Sequence, residues 1–278
     1  MDTADQLIPD TLLSGLLVWK GGIIVLWLAF FFCAERLWPA APQPALMAWE
    51  RQGKWRLGRN FGLWLMNSGL SVGLVLPLTI ACAALSMEFF AWRPVWWAGG
   101  WGLVFDLLAL DFLIYWWHRI NHEWRFLWRF HEIHHLDAWL DSTSALRFHF
   151  GEVALSALAR GGVILLIGFP VDSVLVFEIL ILTAAIFHHS NLRLPGGLER
   201  WLSLLIITPS IHWVHHHAWR PDTDSNYGTM FSFWDRIFST SSPSKRAMDL
   251  EIGVENEAEK GLLRLVLRPF LPRRTDGE

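Results

Sequence analysis

The sequence predicts an all-α integral membrane bundle, and three observations lead to that prediction. Of the 278 residues, 53% are hydrophobic, and 19 tryptophans and 19 phenylalanines are among them, which exceeds the apolar content of typical soluble domains. The mean hydropathy is +0.31. Several apolar runs are also long enough to cross a bilayer as helices, which takes about 20 residues.

The charge and the cysteine content argue against other classes of protein. The net charge is −3 and the pI is about 6.5, so the chain lacks the basic surface that nucleic acid binding needs. Cys33 and Cys82 both lie in apolar runs and no CxxC pair occurs, which argues against a disulfide or a thiolate metal site. We therefore expect no nucleic-acid partner.

The first predicted span covers residues 11–34. Lys20 interrupts it and is expected either to reach the membrane surface or to face protein. A polar connection, residues 35–60, follows, and a short loop rich in basic residues is typical of the cytoplasmic side. We expect the N-terminus, which has three aspartates before its first basic residue, on the opposite side. The basic residues of the connection are Arg36, Arg51, Lys54, Arg56 and Arg59.

The second span is predicted at about 61–87 and the third at about 95–117. The third span runs directly into His118, which places this histidine on the cytoplasmic side. Asp111, Tyr115, His118 and His122 are spaced so that they share one face of the helix. Asp111 is therefore predicted either to accept an imidazole N–H or to pair with an arginine of a neighbouring helix.

The second half of the chain alternates interfacial and apolar segments. Residues 123–151 are predicted as helices at the membrane interface. The apolar region 153–187 is interrupted near Gly168 and Pro170, and each half is short for a span, which favours a hairpin that enters the membrane and returns. Such a hairpin delivers His188 and His189 to the cytoplasmic face. The segment from residue 249 onward is predicted to lie on the surface as an amphipathic tail.

All 12 histidines lie between His118 and His217. They form the clusters HRINH (118–122), HEIHH (131–135) and HWVHHH (212–217), with further histidines between them. Residues three or four apart on a helix share a face, so each cluster presents a row of imidazoles. The three rows hold eight imidazoles in helical register, whereas one zinc or iron ion takes roughly four to six ligands. The pattern therefore predicts two metal ions.

Two alternatives compete with a dinuclear centre. The second cluster contains the HExxH motif, which is typical of a zinc metalloprotease in which His131 and His135 bind metal and Glu132 is the general base. The third cluster repeats the HxxHH spacing with Trp213 in place of Glu132, so the histidines are the shared feature. A non-enzymatic metal sensor or transport path is the other alternative. Transport predicts ionisable residues along several spans, whereas here they gather at one face.

Several motifs together resemble the fatty acid hydroxylase and sterol desaturase superfamily. They are HRINH, HEIHH, RFHFGE (147–152), FHHSN (187–191), TPSIHWVHHH (208–217), and DSNYG (224–228) followed by WDRIF (234–238). The resemblance runs from about Asp111 to Thr240. It implies a membrane-bound enzyme with two Fe ions at the cytoplasmic face, which uses O2 as co-substrate to hydroxylate or desaturate a lipid C–H bond. Fatty acyl, sterol and alkyl-glycerol-type substrates all stay open.

The resemblance also implies which residues form the site. No catalytic residue beyond the metal centre is implied. Phe150 replaces the proline of the family motif, so His149 is treated as lining the site and not as a ligand. Asn226, Tyr227 and Asp235 are expected to orient the third cluster, and Ser239 stands where glycine is common. The implied metal ligands are His118, His122, His131, His134, His135, His189, His212, His215 and His216. The residues expected to line or support the site are Asp111, Arg147, His149, Glu152, His188, Asn191, Asn226, Tyr227 and Asp235.

No flavin, haem or nicotinamide motif occurs in the sequence. The electrons are therefore expected from a separate protein of the ferredoxin or cytochrome type. The chain is predicted to divide into N-terminal transmembrane helices with a basic cytoplasmic loop (1–94), a catalytic domain with the histidine clusters (95–243), and a charged, amphipathic tail (244–278).

Overall fold

The computed structural model describes residues 10–89 and 92–272, and within these residues every regular element is a helix. The all-α prediction is confirmed. The α-helices are α1 (Asp10–Leu37), α2 (Lys54–Leu70), α3 (Leu76–Phe89), α4 (Gly99–Glu123), α5 (Arg125–His135), α6 (Phe150–Ile167), α7 (Val171–His189), α8 (Gly196–Leu202), α9 (Pro209–His215), α10 (Arg220–Thr223), α11 (Phe233–Ile237) and α12 (Leu262–Leu267).

The molecule is an integral membrane protein. Five helical segments are long and apolar enough to cross a bilayer: Val18–Leu37, Glu50–Phe89, Gly99–Glu123, Phe150–Ile167 and Val171–His189. They leave large apolar side chains uncovered, among them Trp19, Leu65 and Trp101, which are 68%, 68% and 75% exposed. Apolar surface of this extent needs lipid or a partner to cover it. The predicted membrane bundle is therefore confirmed.

The apolar core of the bundle lies between α3, α4, α6 and α7. Ala83, Leu110, Ile164, Phe169 and Phe177 form one buried cluster there. Each comes from a run of apolar residues, so the four helices bury a stripe against each other and leave the rest of their surface for the bilayer. This packing fixes the ends of α4 and α7, which carry histidines.

The segment between α6 and α7 reverses the chain, as the sequence predicted. Gly168 caps α6 with a φ of +80°, a conformation that glycine adopts without steric cost. Pro170 then precedes α7. The hairpin returns His188 and His189 to the other histidines, and each of its two helices is long enough to be a candidate span.

Three ionisable residues inside the candidate spans, on α1, α6 and α7, are paired with one another. The ammonium of Lys20 lies 2.6 Å from the carboxylate of Glu178, and Arg160 lies 3.2 Å from the same carboxylate. These contacts tie α1 and α6 to α7. Lys20 was predicted either to reach the membrane surface or to face protein, and its side chain faces protein.

The polar connection at residues 35–60 is largely helical and not a free loop. The helix that forms the second span begins at Glu50 and continues to Phe89, so Lys54, Arg56 and Arg59 lie on it. Arg56 is buried and contacts Asp137 at 2.6 Å and Asp141 at 2.9 Å. The loop prediction was wrong because basic residues that suggested a solvated loop are partners of distant carboxylates.

The C-terminal strap, which we define as residues 259–271, lies along the protein surface with one side packed against α5 and α2. Leu265 is fully buried and packs with Leu63, Ile133 and Leu136. Arg268 donates to Glu132 at 2.5 Å, and Arg129 donates to the carbonyl oxygen of Leu271 at 2.7 Å. The strap thus covers one side of α5, whose other side carries the histidines, while Leu263, Leu267 and Phe270 of the strap are 71%, 44% and 59% exposed.

Candidate metal centre

Four helices bring their histidines to one place at the end of the bundle. His118 and His122 stand on the last two turns of α4, one helical turn apart. The second cluster ends α5, the third ends α9, and His189 is the last residue of α7. Because helix ends leave room between them, the imidazoles converge there without displacing the apolar core.

The nine predicted ligands fall into two groups. In each group the ligand nitrogens all lie within 4.8 Å of one another, and eight of the nine residues are buried. Group one consists of His118, His122, His131, His135 and His215, and group two consists of His134, His189, His212 and His216. The structure thus brings together all nine histidines that the family resemblance implied.

The two groups are interlocked, because α5 and α9 each contribute to both. In α5, His131 and His135 belong to group one and His134 to group two. The rings of His135 and His216, one from each group, stack with their centroids 4.4 Å apart. This proximity agrees with the dinuclear centre that the histidine count predicted.

Group one is oriented by acceptors on the outer side of its imidazoles. The Nδ1 atom of His118 donates to the carbonyl oxygen of Tyr227 at 2.8 Å, and that of His215 donates to Ser225 at 2.6 Å. His131 contacts the Glu152 carboxylate at 2.8 Å. Because a carbonyl only accepts, Nδ1 of His118 and His215 carries the hydrogen, and their Nε2 lone pairs point into the group.

Group two is also oriented by backbone carbonyl oxygens that accept from Nδ1 atoms. His134 donates to the carbonyl of Arg147 at 3.1 Å and His189 to that of Ala185 at 2.7 Å, both through Nδ1. The Nε2 atoms of these two residues nevertheless lie 3.0 Å apart. His212 Nε2 is 2.9 Å from that of His189, and His216 Nε2 is 3.1 Å from that of His212.

The donor set fits a metal ion. Burial lowers the pKa of His134, His135, His212, His215 and His216 well below the usual range, which keeps them as the neutral imidazoles that bind metals. The Nε2 atoms of His122, His131, His135 and His215 are buried without a hydrogen-bond partner. A buried nitrogen without a partner is costly, and a cation in the group would satisfy all of them. Imidazole suits iron as well as zinc and copper.

Glu152 and Arg147 support the second histidine cluster in different ways. Glu152 accepts from His131, as described above. Arg147 is fully buried, and its guanidinium donates to the carbonyl of Ile133 at 2.8 Å and to Glu259 of the strap at 2.9 Å. Its side chain therefore holds the backbone of α5, while its carbonyl orients His134.

His149 lies outside both groups and caps α6. Its Nδ1 accepts from the N–H of Gly151 at 2.9 Å, so its Nε2 carries the hydrogen and donates to the carbonyl of Val266 at 2.9 Å. With both nitrogens used, His149 has no lone pair for a metal. It links the start of α6 to the strap.

Asp111 contacts no imidazole within the residues that the structure describes, and it has no arginine partner there. It accepts from the indole of Trp234 at 2.9 Å and from the backbone N–H groups of Met230 and Phe231 at 3.2 and 3.3 Å. Both predicted partners were wrong. Helical spacing fixes the face on which Asp111 lies, and on that face its oxygens meet the 230–234 segment before they reach a histidine.

The DSNYG segment orients two different clusters. Asp235 accepts from the backbone N–H groups of Tyr227 and Gly228 at 2.7 and 2.9 Å, and the Tyr227 carbonyl then holds His118. Asp235 and Tyr227 therefore orient the first cluster, whereas the third was expected. Asn226 does contact the third cluster's helix, through the carbonyl of Ile211 at 3.4 Å.

Three further positions have roles at the edge of the site. Asn191 exchanges hydrogen bonds of 3.0 and 2.8 Å with the backbone of Ala41, which joins the end of α7 to the segment after α1. His188 is outside both groups, and its ring lies 4.0 Å from that of His212. Ser239 has a φ of +55°, which explains why glycine is common there.

The carboxylate of Glu132 is bound by the C-terminal strap. It accepts from Arg268 of the strap at 2.5 Å. The general base of a metalloprotease must reach the metal-bound water, so this position does not favour the protease alternative.

Two residues of the site were not singled out from the sequence. Asp224 accepts from His122 at 3.2 Å, and Ser225 supplies the carbonyl for His215. Both belong to the DSNYG motif, so its position after the third cluster was the available signal. Every residue has a backbone carbonyl, so the residue type of Ser225 does not indicate that its carbonyl orients a histidine.

Comparison with known proteins agrees with the motifs. The fatty acid hydroxylase family model matches residues 103–240. The ornithine lipid hydroxylase OlsE of Rhizobium tropici is 30% identical over 237 residues, which cover 81% of this chain and 70% of that protein. The alkylglycerol monooxygenases of Danio rerio and Homo sapiens are 30% and 33% identical over 57% and 52% of this chain. This chain covers only 36% and 31% of their lengths. No solved structure matches the chain significantly.

Proposed function

Because the chain belongs to the fatty acid hydroxylase family, we propose that it is a membrane-bound di-iron oxidoreductase that uses O2 to hydroxylate a C–H bond of a lipid. One observation carries the proposal. Two interlocked groups of buried imidazoles, at the end of a bundle of candidate membrane spans, direct their free nitrogens inward.

The residues of group two would hold a metal ion through four neutral imidazole nitrogens, those of His134, His189, His212 and His216. Imidazole binds iron as well as zinc and copper. Zinc has no redox chemistry, whereas the relatives named as hydroxylases and monooxygenases carry out an oxidation. Iron is therefore the metal that we propose.

The chain's own residues bind, orient and enclose the centre. Bound iron would supply the oxidation of an aliphatic C–H bond by dioxygen. Glu152, Asp224 and the carbonyls of Tyr227, Ser225, Arg147 and Ala185 fix the Nδ1 atoms, which keeps each Nε2 directed inward. The burial of eight of the nine histidines excludes bulk water from the reacting atoms.

The substrate class follows from the membrane setting and from the relatives. A reaction at the end of apolar spans has direct access to lipids of the bilayer. The relatives are named for ornithine lipid, alkylglycerol and, in a Danio rerio protein, cholesterol 25-hydroxylation. We propose a membrane lipid with a long acyl or alkyl chain, and hydroxylation over desaturation because these names specify hydroxylases and a monooxygenase.

The proposed orientation places the histidines at the cytoplasmic face and the N-terminus on the opposite side. Glu35 at the end of α1 bonds to Ser142 and Asn191, and Arg56 bonds to Asp137, so the basic 35–60 segment lies at the histidine end of the bundle. Basic segments are retained in the cytoplasm. An external ferredoxin- or cytochrome-type protein would deliver electrons at the same face.

The test combines metal content with labelled dioxygen. Detergent-purified protein should hold about two irons per chain, and His131→Ala should lose iron and product together. With labelled O2 and a lipid extract, the label should appear in a lipid alcohol. An unlabelled alkene would replace hydroxylation by desaturation. One zinc per chain, with activity that depends on Glu132, would overturn the proposal in favour of a protease.

A further inference from the structure

A cavity of about 380 Å³, lined by several charged and hydroxyl side chains, lies on the side of α9 that faces away from the histidines. Ser210, Ile211 and Val214 of α9 line it, whereas His212 and His215 of the same helix enter the two groups. The other walls come from α8, α11 and the 241–246 segment. The cavity is therefore separate from the metal centre, although one helix borders both.

Three basic residues line this cavity: Arg236, Lys245 and Arg246. Its two acidic residues already have partners. Glu199 accepts from the hydroxyls of Thr208 and Ser210, and Asp235 accepts from the Tyr227 and Gly228 backbone described above. The carboxylates are thus occupied by neutral donors, and the cavity keeps an excess of positive charge.

Arg246 is the cation that most needs a counter-ion. It makes no ion pair with a carboxylate within the described residues. Its guanidinium stacks 4.0 Å from the ring of Trp213 and donates to Asn191 at 2.7 Å, while its Nε is buried without a partner. Burial lowers the pKa of Arg246 to about 10, so it stays charged at neutral pH. The nearby carboxylates of Glu199 and Glu35 attract it without forming an ion pair. A bound anion in direct contact with the guanidinium would offset more of the cost of its burial.

The remaining wall residues suit an oxyanion. Serine hydroxyls at Ser203, Ser241 and Ser244 line the cavity together with Lys245. Guanidinium, ammonium and hydroxyl donors around one cavity are the donor set that binds phosphate and carboxylate oxygens.

The surface beside the cavity is apolar. Trp201, Leu204 and Leu205 are 73%, 54% and 57% exposed, and Ile237 is 60% exposed. Leu204 follows the cavity residue Ser203, and Ile237 follows Arg236, which donates to the carbonyl of Leu204. Tryptophan and leucine next to basic residues are typical of segments that lie at the membrane interface.

We propose that this cavity binds the anionic headgroup of a membrane lipid, with Arg246 and Lys245 contacting its phosphate or carboxylate oxygens while the acyl chains lie along the apolar surface of α8. The proposal rests on the membrane placement of the proposed function. It assigns a second lipid contact, outside the metal centre, to the helix that carries the third histidine cluster.

The test measures lipid binding to the detergent-purified, full-length protein by calorimetry, without turnover. Dioctanoyl phosphatidic acid should bind at least about tenfold more tightly than dioctanoylglycerol, which lacks the anion. Lys245→Gln and Arg246→Gln should each weaken binding of the phosphatidic acid by about five- to tenfold. Arg125→Gln removes a positive charge from an exposed site away from the cavity and should change the affinity less than about twofold.

The outcomes distinguish a lipid headgroup from a free anion as the ligand of the cavity. Lys245 is exposed, so Lys245→Gln keeps the test valid if Arg246→Gln fails to fold. Equal binding of dioctanoylglycerol, or an unchanged affinity in Lys245→Gln, would overturn the proposal. Inorganic phosphate that binds as tightly as the lipid would indicate a site for free anions and would also overturn it. None of these readouts depends on iron, so the proposed oxidation stands or fails separately.

Discussion

The Nε2 atoms of His134 and His189 face each other at a distance of 3.0 Å. Each ring donates its Nδ1 hydrogen to a backbone carbonyl, so in the neutral state both Nε2 atoms carry lone pairs. Two lone pairs at this distance repel unless a cation lies between them. The hydrogen bonds of the fold thus hold these two residues in the form that binds metal, and the fold and the ion should stabilise each other.

Removal of metal should therefore lower the thermal stability of the protein. A ligand present at a thousand times its Kd stabilises the native state by about 4 kcal/mol, and each kcal/mol shifts Tm by about 2–4 °C in a chain of this size. We expect chelation to lower Tm by about 8–16 °C in a scanning calorimeter and iron to restore it. His189→Ala lacks one donor of group two, so chelation should lower its Tm by less. An equally large fall of Tm on chelation of this variant would contradict the coupling.

Adjacent histidines of α7 should differ in their effect on iron. His189→Ala removes one of four donors from group two, and we expect iron to fall from about two to about one per chain, with activity reduced more than about a hundredfold. His188→Ala changes the neighbouring buried residue, which is outside both groups, and should keep both irons. Mass spectrometry of the metal content distinguishes them. Loss of both irons from His188→Ala would refute the assignment of the groups.

Substitution of Glu152 should weaken iron binding, whereas substitution of Glu132 should weaken the fold. Glu152→Gln removes the carboxylate that orients His131, and iron affinity should fall about 10–100-fold in a chelator competition assay. Glu132→Gln breaks the ion pair with Arg268 and should instead lower the unfolding midpoint while iron affinity changes less than about threefold. The reverse pattern would support a role for Glu132 at the metal.

Substitution of Arg56 should lower the free energy of unfolding strongly, although Arg56 is not part of the histidine groups. Arg56→Gln leaves Asp137 and Asp141 buried without their cation, which costs about 3–5 kcal/mol. Lys54→Gln changes an exposed residue half a turn away and should alter the free energy of unfolding by less than about 0.5 kcal/mol. Denaturant unfolding in detergent measures both. Equal stability of the two variants would show that the buried pair is not needed.

Replacement of Ser239 by glycine should stabilise the protein. Its φ of +55° costs an L-residue about 1–2 kcal/mol, and the added freedom of glycine in the unfolded chain takes back part of that gain. We expect Ser239→Gly to raise the free energy of unfolding by about 0.5–1 kcal/mol. Ser241→Gly, at an exposed position without a positive φ, is the control and should be neutral or slightly destabilising.

The sequence was most informative where chemistry and spacing coincide. Imidazoles at helical intervals are rare by chance, so spacing indicated eight of the proposed ligands, the family resemblance added His189, and apolar runs located the spans. His149 shows the limit. Its role as a cap depends on Gly151 nearby and on Val266, which is 117 residues away. Residue type alone does not distinguish an imidazole that accepts from a backbone N–H from one that binds metal.

The wrong predictions share a physical cause. Arg56 was assigned to a basic loop from local composition, and Asp111 was expected to meet either an imidazole or an arginine of a neighbouring helix. Their actual partners lie 81 and about 120 residues away, and long-range pairing is set by how the helices pack. For the strap, the sequence indicated an amphipathic segment but not its partner, because an amphipathic helix has an apolar face whether it covers lipid or protein.

The contact between the strap and the second cluster also bears on how the protein matures in the cell. Arg268 follows its partner Glu132 by 136 residues, so at about 5–20 residues per second the ribosome needs roughly 7 to 27 seconds to add the strap after the second cluster. During that interval α5 lacks its cover and His189, His212 and His215 are made in turn. Iron delivery should therefore follow translation of the strap, and nascent chains that stop before Leu265 should be poor acceptors of metal.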